Sequence, residues 1–275
     1  MNKRKLSVKH QNPHTENKDK QIYFLCAMPR SGNTLFTSIM NQNPEIAVTA
    51  NSITLEIMKD LFLLKRTDVF QNFPDEQSLD NVMDEVYNLY YKNWNYKIII
   101  DRGPVCTPGN LKVIQKHFKQ PIRCIVILRD VLDVLASYIK WFETESTAFP
   151  NKYGCKNIEE KLSKIMNKNG AVAKELMSIQ YLLQHPEMAV FIKYNDLAQN
   201  PEQEIKKVYS FLNIPYYQHR FVNLDQVTVN GIQYNDNVVG NNMHIIRIDK
   251  VKKLDNYYKS MIPKRFVKEY GHIRF

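Results

Sequence analysis

The chain has 275 residues, 44% hydrophobic and 24% charged, which is enough apolar material for one large core and excludes a disordered or fibrous polypeptide. A net charge of +10 suggests an anionic partner, without choosing among nucleic acid, an anionic membrane and a polyanionic nucleotide. Four cysteines (Cys26, Cys106, Cys124 and Cys155) form no CxxC pair and no metal-ligand spacing, so no metal is expected and a reduced, cytoplasmic setting is.

Residues 1–20 are polar and lysine-rich and lack the apolar centre of a signal peptide. They are expected to be a disordered basic arm ahead of a single domain over 21–275. No later run reaches the length of a membrane span. Ile22 to Met28 is a continuous apolar run that reads as a buried strand, ended by Pro29. Arg30-Ser31-Gly32-Asn33-Thr34 then turns into an amphipathic helix with Leu35, Ile39 and Met40 on one face. A strand, a small-residue turn and a helix N-terminus make an anion site, because free backbone N–H groups and the positive end of the helix dipole point into the turn. Ser31 and Thr34 add hydroxyls there, and Arg30 adds a permanent planar charge suited to phosphate or sulfate oxygens.

Three more apolar, β-branched runs follow at 97–101, 122–128 and 189–193. Helical patterns lie between the strands at 34–42, 53–65, 77–92, 108–119, 130–145 and 158–185. Strands alternating with helices predict an α/β fold, a three-layer parallel sheet with helices on both faces. The third strand ends in Arg129-Asp130, at the carboxyl edge where such sheets collect ligands, and Ser137 lies two turns into the next helix. Beyond Asp196 to Pro201 a helix runs to about Leu212. Residues 216–253 then read as a loop-rich lid, and a terminal helix is expected near 254–270.

Pro29-Arg30-Ser31-Gly32-x-Thr34-Leu35, Arg129 with Ser137 eight residues on, and the segment IKYNDLAQNPEQEIKKVYSFLNIP at 192–215 together resemble the sulfotransferases that use 3′-phosphoadenosine 5′-phosphosulfate (PAPS). Asn195 and Asn213 depart from that family's third segment. Asn41-Gln42-Asn43-Pro44, Asp101-Arg102-Gly103 and Met243-His244-Ile245-Ile246-Arg247 look closer to its bacterial and phage-type branch. The resemblance covers about residues 22–250 and implies a P-loop-like sulfotransferase fold. PAPS carries phosphates at both ends of an adenosine, which agrees with two anion sites on one sheet edge. A nucleotide kinase fits less well, since GxxxxGK[ST] is absent and the loop holds no lysine.

The resemblance implies a PAPS site of Arg30, Ser31, Gly32, Asn33, Thr34 and Leu35 at the 5′ end and Arg129 with Ser137 at the 3′-phosphate. It adds Tyr194 beside the adenine, and Arg247 and Lys250 closing from the late loop. Arg30 and Arg102 are the expected charge stabilisers for sulfuryl transfer to a hydroxyl acceptor (sugar, lipid, peptide or small metabolite), with PAP as product. The base stays open. Tyrosylprotein sulfotransferases carry a glutamate about twenty residues past the loop, and that count lands here on Asn51, which takes no proton. His244, Glu56 and Asp101 are the candidates, and a PAPS-binding module with little or no turnover is the alternative. Nucleic acid is not an expected partner, because only overall charge argues for it.

Overall fold

The computed structural model of the protein describes residues 20–145, 154–226, 228–238, 244, 246 and 256–275. The basic arm at 1–19, and Arg247 and Lys250, expected in the nucleotide site, lie outside the described residues. Five strands, β1 (Gln21–Ala27), β2 (Ile46–Val48), β3 (Ile98–Arg102), β4 (Cys124–Leu128) and β5 (Ala189–Lys193), form one sheet in the order β2-β3-β1-β4-β5. Each neighbouring pair is parallel.

Side-chain alternation along β1 explains both covered faces. Phe24, Cys26 and Met28 enter one apolar core, while Tyr23, Leu25 and Ala27 enter the other. The second core is closed by α1 (Asn33–Met40), α9 (Tyr194–Gln199) and α10 (Pro201–Leu212), through Phe36, Ile39, Leu197, Ile205 and Leu212. The first is closed by α2 (Ile53–Leu64), α4 (Glu76–Tyr90), α5 (Pro108–His117), α6 (Val131–Thr144), α7 (Ile158–Met166) and α8 (Ala171–Gln184). A five-residue helix, α3 (Asp68–Asn72), lies between α2 and α4 and buries no residue.

Strands β1 and β4 are neighbours in register (Ala27 opposite Ile127), yet α1 and α6 leave them on opposite faces. That divergence opens a crevice at the carboxyl ends of both strands, the place where open α/β sheets bind ligands. The loop at 28–32 and Arg129 both empty into it.

Several boundaries differ from the sequence reading. β2 is only three residues long and went unread. The helical pattern at 158–185 is two helices, because the chain turns at Gly170, where a Cβ would sit 2.2 Å from the Ile165 carbonyl oxygen. The terminal helix is also two, α11 (Asn256–Ser260) and α12 (Lys264–Tyr270), separated at Pro263. The late loop region contains a short antiparallel hairpin, β6 (Thr228–Val229) with β7 (Ile232–Gln233), and a 3₁₀ turn at Asp236–Val238. Among the described residues, no helix is long and apolar enough to cross a membrane.

Candidate active site

The anion loop is built by local backbone chemistry. Ser31 N–H donates to the Met28 carbonyl (3.2 Å), and the Asn33 side-chain amide donates to the same oxygen (3.2 Å), which ties the turn to the end of β1. Arg30 and Gly32 both take the left-handed conformation, at φ 69° and 89°. Gly32 is the N-cap of α1 and offers no side-chain cap, so the first N–H groups of the helix remain directed into the crevice. Asn33 thus braces the loop with its side chain, while Thr34 and Leu35 offer backbone groups from the first turn.

Gly32 is further constrained by Tyr194, whose Cδ2 would lie 2.7 Å from any Cβ at that position. Positive φ and this contact together exclude a side chain. Gly32→Ala is expected to cost about 2–3 kcal/mol from backbone strain and crowding, lowering the melting temperature by about 5 °C or more. Thermal unfolding followed by circular dichroism checks this, and an unchanged midpoint would contradict the loop geometry.

The two sequence motifs meet. Arg30 Nε donates to Ser137 Oγ (3.2 Å), across 107 residues of chain, and the Arg129 guanidinium donates to the Arg30 carbonyl oxygen. Arg129 lies 4.2 Å over the ring of Tyr194, a cation–π contact that fixes its plane. Tyr194 is therefore wedged between the loop glycine and the arginine. Burial lowers the pKa of Arg129, opposed by Tyr194, Asp133 and Asp130, and the group stays cationic at neutral pH. Ser31 Oγ, Arg129 Nε and Arg102 Nε are buried without a hydrogen-bond partner. A buried hydroxyl and two guanidinium N–H groups beside an uncapped helix fit a ligand rich in anionic oxygens.

Arg102 occupies the end of β3, with its backbone N–H held by Thr49 Oγ1 (2.9 Å). Its guanidinium donates to the Ala50 carbonyl (2.8 Å) and to Asn51 Oδ1 (3.2 Å) rather than pairing with Asp101. Asn51, the residue at which the glutamate of a relative would stand, is therefore a ligand of the arginine.

The three candidate bases separate sharply. Asp101 is fully buried and accepts from Thr49 (3.0 Å), Tyr91 (2.9 Å), Ser52 (2.5 Å) and Thr54 (2.5 Å). Both carboxylate oxygens are doubly engaged, so this group clamps β3 to the start of α2 and to Tyr91 after α4 and has no lone pair to spare for a substrate. Burial raises its pKa, opposed by those four hydroxyls. Glu56 points outward on α2, its side chain 61% exposed, and pairs with Lys59.

His244 differs from both. Its Nδ1 lies 2.5 Å from Asp236 Oδ1, and its backbone N–H donates to Oδ2 of the same carboxylate (2.9 Å). A carboxylate only accepts, so Nδ1 carries the proton and the lone pair is on Nε2. The imidazole stacks on Tyr234 at 4.0 Å and 7°. Burial lowers its pKa; Asp236 opposes that, and Arg102 and Arg30 lower it further. Both arginines thus act electrostatically on the imidazole.

Asp236, Tyr234 and Glu175 escaped sequence reasoning. The first two sit eight and ten residues before His244, a spacing that advertises nothing until the fold brings them against the imidazole. Glu175 of α8 is buried behind β1, where burial pushes its carboxyl well up, Cys26 adds to that and Arg102 opposes it. No group of metal-ligating side chains occurs among the described residues.

A parallel sheet covered on both faces, with an uncapped anion-type loop at its topological switch, defines an α/β protein of the P-loop-like kind. The family model for the sulfotransferase domain matches residues 20–233, and the chain belongs to the sulfotransferase family. It is similar to a Caenorhabditis briggsae protein named "Putative protein-tyrosine sulfotransferase", with 24% identity over 208 residues, 72% of this chain and 68% of that one. Among solved structures it resembles the sulfotransferase domain from the curacin biosynthetic pathway, with 18% identity, a TM-score of 0.52, and coverage of 93% of this chain and 99% of that domain. The protein is a sulfotransferase with the P-loop-like fold of that family.

Proposed function

We propose that the protein transfers the sulfuryl group of PAPS to a hydroxyl of its acceptor, releasing PAP and a sulfate ester. The observation that carries this reading is the contact network of Arg30, Ser137 and Arg129, which joins the loop to the second anion motif across about a hundred residues. PAPS supplies the sulfuryl group and a leaving phosphate. The N–H groups at the start of α1, Ser31 and Arg30 hold the anionic oxygens at the 5′ end, and Arg129 and Ser137 hold the 3′-phosphate.

In the transfer, the acceptor oxygen bonds to sulfur as the bond from sulfur to the phosphate oxygen breaks. Arg30 and Arg102 balance the charge that builds on the sulfonate oxygens and on the leaving phosphate. His244 Nε2 takes the hydroxyl proton, and Asp236 steadies the imidazolium that results. Such a dyad, with two arginines acting on it electrostatically, favours turnover over a binding module without chemistry. The acceptor is a hydroxyl compound, and the tyrosine named for the nematode relative makes a tyrosine peptide the first member of an acceptor panel.

Arg129→Ala is expected to weaken PAP binding by about 10²-fold, because a partly buried cationic partner of a phosphate is lost, with a smaller change in kcat. Calorimetric titration of PAP into wild type and variant measures it. Unaltered affinity would misplace the second anion site. For the overall reading, incubation with PAPS carrying labelled sulfate and the acceptor panel decides. PAP binding with neither transfer nor PAPS hydrolysis would favour the binding module.

A further inference from the structure

The 3′-phosphate motif has an electrostatic problem of its own making. Arg129 is followed by Asp130 and Asp133, and both carboxylates act electrostatically on its guanidinium. A phosphate placed on Arg129 and Ser137 would therefore meet two negative charges at the head of α6. Asp130 is the N-cap residue of α6 but makes no cap bond with its side chain, and Asp133 lies in the first turn. Neither side chain is shown in a capping bond to the helix end.

Both are instead engaged by residues 256–275. Arg274 donates to Asp130 Oδ2 (3.2 Å), and the Phe275 backbone N–H donates to Oδ1 (2.9 Å). Lys259 of α11 pairs with Asp133. Packing holds the segment there. Phe266 and Ile262 are buried in the first core, and Gly271 comes close to Leu132 of α6.

We propose that this C-terminal segment is an electrostatic component of the nucleotide site. Lys259 and Arg274 neutralise Asp133 and Asp130, so that the charge presented to a 3′-phosphate is that of Arg129 alone. These ion pairs are partly exposed and contribute little to stability. Their effect falls on a doubly charged ligand held by Arg129, and an uncompensated carboxylate is felt most strongly there at low ionic strength. Lys259 and Arg274 are positioning residues in this account, since they act on the phosphate through the aspartates.

The inference rests on the PAPS reading, and the experiment separates the two. Wild type and the K259A/R274A double variant are titrated with PAP and with adenosine 5′-phosphate, which lacks the 3′-phosphate, at low and at moderate salt. The double variant is expected to bind PAP about fivefold to tenfold more weakly at low salt, with the loss shrinking as salt rises and no loss for adenosine 5′-phosphate. Adding D130N and D133N to the double variant is expected to restore PAP affinity without restoring the ion pairs. An equal loss for both nucleotides, no loss, or no rescue by the two asparagines would each overturn the proposal, the first showing a purely structural role. A wild type that binds PAP no better than adenosine 5′-phosphate would instead overturn the PAPS reading itself. Thermal unfolding of each variant establishes that the comparison is between folded proteins.

Discussion

Replacing Arg30 by methionine is expected to lower kcat by about 10³-fold while PAP affinity falls far less. The guanidinium sits where the loop, the uncapped start of α1 and Ser137 converge, and its task is to meet charge that grows only as the sulfuryl group moves. Interactions strengthened in the transition state appear in kcat, and the loss of one positioned cation in phosphoryl transfer, the nearest chemical analogue, costs about 10³-fold or more. Methionine keeps the stem and the left-handed backbone while removing the charge. Arg30→Lys is expected to recover part of the rate, because a point charge replaces the planar fork only imperfectly. Single-turnover measurement with saturating PAPS isolates the chemical step. A rate within tenfold of wild type would remove Arg30 from the transferring group.

His244→Ala is expected to lower kcat by about 10²- to 10⁴-fold, the usual contribution of a positioned general base, with PAP affinity unchanged. The pH profile carries more information than the magnitude. The base must be neutral to act, and burial together with Arg102 and Arg30 holds the imidazole below the ordinary histidine value of 6.5 in spite of Asp236. The acid limb of kcat/KM for wild type is therefore expected to lie below pH 6.5, with activity level across neutrality. Asp236→Asn removes the one opposing carboxylate, which shifts that limb further toward acid and also loosens the tautomer, so kcat falls as the limb moves. An acid limb that persists unaltered in His244→Ala would assign the proton to another group.

Sequence alone carried the sheet but not the choice of base, and the physical reason is the same in both directions. β1, β3, β4 and β5 are legible because each is a short run rich in apolar, β-branched residues set between longer helical patterns. β2 escaped because three residues, Ile46 to Val48, carry no period. The anion loop was legible because its chemistry is local: Gly32, Ser31 and the start of α1 are consecutive. Arg129 and Ser137 share one helix-and-strand junction and were legible for the same reason. His244, Glu56 and Asp101 were indistinguishable as letters, since what separates them is burial and the partners each side chain meets. Asp101 stood among the candidate bases, yet alternation along β3 sends its side chain and that of Arg102 to different neighbours. Contacts such as Arg30 to Ser137 and Arg274 to Asp130, with 107 and 144 residues between the partners, leave no trace in any window of sequence.

The position of β1 has a consequence for how the protein opens. It lies at the centre of the five strands, is paired on both edges, and sends alternate side chains into both apolar cores. Local unfolding begins where few such constraints act, so a central strand of this kind opens last, with the whole domain. The anion loop springs directly from it and inherits that rigidity at its root. His244 is held instead by Asp236 and Tyr234, which follow a small hairpin outside that sheet, so the charge-stabilising and proton-accepting halves of the site rest on separate sheets.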